Sequence, residues 1–388
     1  MSETHYQLEH VMIMDLVSSF NNEVVYILLT YVAVVSAVIC NMFQAAAYLF
    51  IRPFSLTAYR KTVSIFQYLL FSQLTFRYDW WGDSEMTFYI SDADRPFLGK
   101  ETSVIVMNHR NSAEHLFSCA VNERLGLLGT CKGFLPSYMK YAPTFGWSMF
   151  FTESIFLNRS YEKDKETIVK QLKELQSYPD NFWIELNCEG TRFTAERHRT
   201  SMEVARSKGL PELKHHVLPR TKGFVLCARV ARKYIPAFYD VEYHFDKRSP
   251  EPTLLEMLKG KKHHVHIYFR RIPIEEVPED EEACAKYCHE LYRIKDINYE
   301  YFEKHGRFPE KTHVIPRRKH SIFIFIFWSA LLVVPPMKYL LDVIMYGSMS
   351  LIAGVFLSTA LVLLWTWWFV EVLLPGVLPF QVQTHHQQ

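Results

Sequence analysis

Residues 24–51 run for 28 positions without a charged side chain. A helix needs only about 20 apolar residues to cross the hydrocarbon core of a bilayer. A cleaved signal peptide fits poorly, because no positive charge precedes the run and the run is too long. Two more uncharged or nearly uncharged stretches stand near the C-terminus, at 321–341 and 347–374. Pro335 and Pro336 interrupt the first of them, so either two spanning helices or a re-entrant hairpin fits the pair. Trp365, Trp367 and Trp368 suit a headgroup boundary, where an aromatic ring with a polar edge is comfortable. The expected layout is therefore a short non-cytosolic N-terminus (1–23), a membrane helix (24–51), a domain (52–320), two membrane helices or a hairpin (321–341 and 347–374) and a tail (375–388).

Charge follows the same division. Of the 43 Lys and Arg residues, 42 lie within 52–320, against 35 of the 41 Asp and Glu residues. The formal net charge of +2 thus hides a central segment at about +7 between greasy flanks. Arg52, Arg60 and Lys61 follow the first apolar segment, and Arg317, Arg318 and Lys319 precede the second. Cytosolic loops carry the excess of Lys and Arg, which puts 52–320 in the cytosol. Seven cysteines, odd in number and with no C-x-x-C pair, fit a reducing compartment.

Within 52–320, short β-branched runs alternate with helical patterns. Strands are expected at 102–108, 181–186, 215–219, 235–245 and 263–272. Helices are expected from Ser112 to Arg124, at 164–176, where Ile168, Leu172 and Leu175 share a face, at 221–233 and at 276–296. Strands separated by helices point to an α/β sheet covered on its faces, with chemistry beyond the carboxyl ends of the strands. Two stretches follow such ends: "NHRNSAEHL" after 102–108 and "NCEGTRFT" after 181–186.

His109 and Glu114 support two readings. An imidazole held by a carboxylate is a general base with a fixed tautomer. Asn111-x-x-Glu114 also has the spacing of a capping box, in which Glu114 bonds a backbone N–H at a helix start. A zinc site from His109, Glu114 and His115 fits less well, since no H-E-x-x-H spacing or cysteine partner accompanies it. Glu189, Gly190, Thr191 and Arg192 read either as a charged turn or as an anion pocket. In the pocket, glycine admits backbone N–H groups, threonine adds a hydroxyl and arginine grips two oxygens. Arg159, Arg220 and Lys222 stand at further strand ends.

The order of the blocks is more specific than any one of them. An N-H-x4-acid motif at 108–114, an aromatic-rich run at 146–159 ending in Arg159, E-G-T-R at 189–192 and V-L-P-R at 217–220 together resemble the glycerolipid acyltransferase family. The stretches "CEGTRFT", "HRTSMEVARSKGLP" and "LPRTKGF" are similar to the gamma- and delta-type branch of the eukaryotic 1-acylglycerol-3-phosphate acyltransferases.

The resemblance implies a mixed, mostly parallel sheet flanked by helices. It also implies transfer of an acyl group from acyl-CoA to the sn-2 hydroxyl of lysophosphatidic acid, giving phosphatidic acid. His109 would be the general base and Glu114 its orienting acid. Arg192, with Arg159 nearby, would hold the lipid phosphate. Gly190 would make room for it, Thr191 would add to the grip, and Glu189 would hold Arg192 in place. Pro219 and Arg220 would shape the pocket. Acyl-CoA is a co-substrate, so no cofactor or metal is expected, and no nucleic-acid partner. The partners are the two substrates and the bilayer, with the endoplasmic reticulum as the location.

The family normally carries Asp where this chain has Glu114, and its close members carry charged residues where this chain reads Pro136-Ser137-Tyr138. Those departures leave two alternatives: a remodelling enzyme for lysophosphatidylinositol or a lysocardiolipin, or a lipid-binding protein with weakened catalysis.

Overall fold

The computed structural model describes residues 2–110, 113–246 and 253–368, with the side chains of 2–23 and of Thr366 excepted. Eight strands form one sheet: β1 (Glu85–Ile90), β2 (Ser103–Met107), β3 (Lys132–Pro136), β4 (Ile155–Leu157), β5 (Trp183–Leu186), β6 (Ala237–Phe245), β7 (His264–Pro273) and β8 (Thr312–His313). Their order is β4-β3-β5-β2-β6-β7-β1-β8. The pairs from β4 through β6, and β7 with β1, are parallel; β6–β7 and β1–β8 are antiparallel. The mixed, mostly parallel α/β sheet implied by the sequence is present.

The helices are α1 (Ser2–Phe50), α2 (Leu56–Phe76), α3 (Glu114–Leu125), α4 (Phe145–Phe151), α5 (Tyr161–Leu175), α6 (Ala195–Ser207), α7 (Thr221–Ala231), α8 (Leu254–Leu258), α9 (Glu281–His305), α10 (His320–Tyr346) and α11 (Met349–Trp368). Strand β2 explains how they are layered. All five of its residues are buried, because both faces of the sheet are covered. Val104 and Val106 join a core with Ile168, Leu172 and Leu175 of α5, Phe224 and Leu226 of α7, and Cys284, Cys288 and Leu291 of α9. Ile105 and Met107 point the other way, to Leu116 and Phe117 of α3 and Met257 of α8. The two-residue period of a strand thus divides one apolar run between two cores.

Several expectations change. Residues 215–219 form no strand. Pro219 lacks an N–H for a ladder, the Leu218 amide goes to Ser201 Oγ (3.3 Å) and the His216 ring turns inward between two carboxylates. Strands β1, β3 and β4 and helices α2 and α6 have no counterpart in the expected list; β3 and β4 are only five and three residues long. Helix α9 continues to His305, where Gly306 in left-handed backbone (φ 67°) ends it. Pro335 and Pro336 lie inside an unbroken α10. Each proline removes one N–H and sets its ring against the carbonyl four residues before, which a long helix can accommodate by bending without ending.

Two compact units emerge. One holds the N-terminal part of α1, α11 and α10 from Phe325 onward; the other is Cys40–Ile324. The larger unit is wider than 52–320 because the end of α1 is tied into it. Gln44 Nε2 donates to Val63 O (3.2 Å) and to Ser148 Oγ (3.1 Å). Val24–Phe50 and His320–Tyr346 are each long and apolar enough to cross a membrane, and Met349–Trp365 is a shorter apolar helix. Residues 369–374 of the last expected segment and the tail at 375–388 lie outside the described residues. All seven cysteines are buried free thiols.

Candidate active site

The site begins where β2 runs out. Asn108 lends its side chain as one more rung of the β2–β6 pairing. Its Nδ2 donates to Tyr243 O (3.2 Å) and its Oδ1 accepts the Tyr243 amide (3.1 Å). The main chain is therefore free to turn outward at His109. There Nδ1 of His109 meets Glu114 Oε2 at 2.7 Å, with the imidazole 20% exposed and the carboxylate 2% exposed.

Glu114 is the first residue of α3, and its other oxygen is also occupied. Oε1 accepts the Arg110 amide (2.6 Å) and the Tyr243 hydroxyl. A carboxylate fixed in this way accepts the hydrogen bond of Nδ1–H and so favours the tautomer with its lone pair on His109 Nε2. Burial works against the charged imidazolium. The Glu114 carboxylate, through charge and hydrogen bond, outweighs that, and with Glu185 holds His109 above the ordinary imidazole value. Asn111, the other half of the expected capping box, lies outside the described residues. Glu114 stands at the first helical position and takes the amide of Arg110, so a bond of the capping kind and the bond to histidine coexist on different oxygens.

The E-G-T-R block wraps the same histidine, but not as expected. Glu189 does not hold Arg192. It is 1% exposed and turned beneath the loop. There Oε1 accepts the His109 amide (3.3 Å) and Oε2 the Val217 amide (3.4 Å). Burial raises its pKa to about 7. The Phe193 amide donates to His109 O at 2.9 Å, so both backbone groups of His109 are fixed by this loop.

Gly190 has a local task beside the one expected. Its N–H already donates to Asn187 O (3.0 Å), so it is not offered to an anion. Glycine is needed there for the left-handed backbone (φ 66°) and because an added Cβ would stand 3.0 Å from Arg220 Cδ. Thr191 keeps its hydroxyl and amide without protein partners among the described residues, and the half-buried Arg192 remains a cation beside Glu114, Tyr138 and Tyr243.

The remaining candidates surround this core. Arg159 is exposed just beyond β4 in left-handed backbone (φ 63°). It stands on the same sheet edge as the E-G-T-R loop, two strand spacings from β5, or roughly 10 Å. The Arg220 amide donates to Cys188 O (2.7 Å) while its guanidinium is exposed, and Pro219 is buried under it. His115 packs against Phe145 (ring centroids 5.5 Å apart), and burial drops its pKa to about 4. Among the described residues, His109, Glu114 and His115 are not a set whose ligand atoms cluster closely enough to hold a metal ion together.

Three supporting residues escaped the sequence reading. Tyr243 reaches Glu114 from β6. Arg110 lies between the rings of Phe193 (4.6 Å) and Tyr299 (4.4 Å) and donates to His215 O (2.8 Å). His216 sits between Asp296 and Glu242, 3.1 Å from each. For Tyr243 and His216 the sequence signal was polar residues inside apolar runs, "DVEYHF" and "HHVLP"; Arg110 stood within "NHRNSAEHL".

Sequence comparison reaches the same residues. A family model described as "Acyltransferase" matches residues 89–239, and one described as "Acyltransferase C-terminus" matches 256–328. A curated relative, 1-acyl-sn-glycerol-3-phosphate acyltransferase delta of Rattus norvegicus, is 38% identical over 92% of this chain and 95% of its own. The gamma protein of Homo sapiens is 38% identical over 85% and 87% respectively. Among solved structures, the 1-acyl-sn-glycerophosphate (LPA) acyltransferase PlsC of Thermotoga maritima aligns with a TM-score of 0.40 at 14% identity, over 72% of this chain and 97% of that one. With identity of that extent over most of the chain, the chain belongs to the 1-acyl-sn-glycerol-3-phosphate acyltransferase family.

Proposed function

We propose that the chain moves a fatty acyl group from acyl-CoA to the sn-2 hydroxyl of lysophosphatidic acid, with His109 as general base and Glu114 as its orienting acid. The 2.7 Å bond from His109 Nδ1 to Glu114 Oε2 carries this reading. As the glycerol oxygen attacks the thioester carbonyl, its proton passes to His109 Nε2, and Glu114 stabilises the imidazolium. Collapse of the tetrahedral intermediate breaks the C–S bond, and the imidazolium returns the proton to the departing thiolate, giving free CoA. Every proton is conserved, and the thioester needs no further activation. A positioned base of this kind contributes about 10²–10⁴ in rate.

The lipid phosphate is assigned to Arg192 with the Thr191 hydroxyl, and Arg159 and Arg220 are further anion contacts on the same edge. A guanidinium donates two parallel bonds to phosphate, which favours this headgroup over a neutral one. Glu189, Gly190 and Pro219 act through the loop they shape. Val24–Phe50 and His320–Tyr346 would anchor the domain in the endoplasmic reticulum membrane, with 52–320 facing the cytosol as the distribution of Lys and Arg favours.

Acylation of another lysophospholipid is the second reading. Tyr138, 42% exposed and in the electrostatic surroundings of Arg192, is the observation in its favour. Membranes expressing the chain, labelled oleoyl-CoA and a panel of lysophosphatidic acid, lysophosphatidylinositol and lysocardiolipin test both. Product with lysophosphatidic acid alone, lost on His109→Ala, is the expected result. Product confined to another acceptor selects the second reading. No His109-dependent product with any acceptor overturns both. For orientation, protection of 52–320 from protease in sealed vesicles would contradict the cytosolic assignment.

A further inference from the structure

We propose that Asp246, His264 and His266 form a site for a divalent transition metal of the zinc type, separate from the acyl-transfer residues. His264 and His266 are two positions apart on β7, so their rings share one face of the sheet. They lie 4.3 Å apart, centroid to centroid. Asp246 follows β6, and its amide bonds to His264 O (3.0 Å), which sets it opposite His264 across the antiparallel pair. One ligand atom from each of the three residues lies within 4.8 Å of the others.

The surroundings suit coordination. His264 meets Thr87 Oγ1 through Nε2 (2.7 Å), and His266 meets the Tyr89 hydroxyl through Nδ1 (2.9 Å). A metal-bound imidazole is oriented by such a bond at its other nitrogen. Thr87 and Tyr89 come from β1, which pairs with β7 in register, so the hydroxyl supports are as rigid as the sheet. The metal would take His264 Nδ1, His266 Nε2 and an Asp246 oxygen.

The distances point the same way. Asp246 Oδ2 and His264 Nδ1 are 3.8 Å apart, too far for a hydrogen bond. Zinc bonds of about 2.0–2.2 Å in a tetrahedron set donors roughly 3.4 Å apart, so a small inward movement closes the shell. Two imidazoles and one carboxylate favour zinc over the hard cations magnesium and calcium, and a water would complete four-coordination. The bound ion would clamp the end of the β6–β7 pair, three residues beyond Tyr243.

The full chain in detergent micelles, stripped with chelator and returned to zinc, should retain about one metal per chain by elemental analysis. The His264→Gln, His266→Gln double variant should retain none while still acylating. Glutamine keeps a polar group for Thr87 and Tyr89. Cobalt added to the stripped wild-type chain reads the geometry without any variant, through the visible bands of a tetrahedral site; Asp246→Asn should weaken them. Zinc should also raise the thermal midpoint of the wild type and leave the double variant unmoved. Equal metal content in wild type and variant, or no tetrahedral cobalt bands with the wild type, overturns the site.

Discussion

The Tyr243 hydroxyl donates to Glu114 Oε1, the oxygen that also takes the Arg110 amide, while Oε2 meets His109. A tyrosine on β6 thus fixes the carboxylate that orients a histidine after β2. Its own proton is secure: burial, together with the Glu114 charge, pushes the phenol well above its usual range.

Tyr243→Phe removes one donor to a charged acceptor, an interaction worth about 1.5–3 kcal/mol. We expect kcat to fall about tenfold with KM for lysophosphatidic acid unchanged. The carboxylate, with one bond fewer, becomes more basic and holds the imidazolium more tightly, so the acid limb of kcat/KM moves to higher pH. A change in KM alone would show that Tyr243 shapes the pocket and does not act through Glu114.

Glu114→Gln gives the opposite pH signature. In the wild type, His109 titrates above the ordinary 6.5 because Glu114 outweighs burial, and the base is active only above that raised value. Glutamine removes the charge but not the burial, so the acid limb should move to lower pH while kcat falls about 100-fold. Glu114→Asp retains the charge and should keep at least about a tenth of the rate. Equal rates for Glu, Asp and Gln in an acylation assay would reduce Glu114 to a helix cap.

Gly190→Ala separates two roles of one glycine. The left-handed backbone costs a β-carbon about 1–2 kcal/mol, and the new atom also meets Arg220 Cδ at 3.0 Å. Gly209 has nearly the same φ, 62°, with nothing within 4 Å of an added Cβ, so Gly209→Ala reports the strain alone. Thermal unfolding should show the larger loss for Gly190→Ala, together with a raised KM for lysophosphatidic acid. Identical behaviour of the two variants would remove the Arg220 contact from the account.

His216 links stability to pH. Burial favours its neutral ring, but Glu242 and Asp296 outweigh that and raise its pKa to about 9. A pKa raised above the unfolded value of 6.5 adds stability that is complete below about pH 6.5 and lost as pH rises through about 9. The thermal midpoint of the wild type should therefore decline between those limits. His216→Asn should flatten that decline, and an unchanged slope would place the titrating group elsewhere.

The sequence alone determined what depends on neighbours along the chain. Apolar runs without charge marked the long helices. Apolar, β-branched and aromatic runs located β2, β5, β6 and β7, because a strand covered on both faces needs mostly apolar side chains. The ends of β2 and β5, read from the residues that follow them, placed His109 and the E-G-T-R block at the same edge. Short edge strands such as β4 carried too few residues for a pattern to register. Which group each side chain meets was decided only by the tertiary structure. Glu189 looked like the partner of Arg192, three residues away, yet it bonds the amide of His109, 80 positions earlier. Tyr243 reaches Glu114 across 129 positions. The physical reason is burial: once the sheet closes over a carboxylate, its oxygens must accept whatever donors the fold brings within 3 Å or so, and those donors come from strands adjacent in space but far apart in sequence.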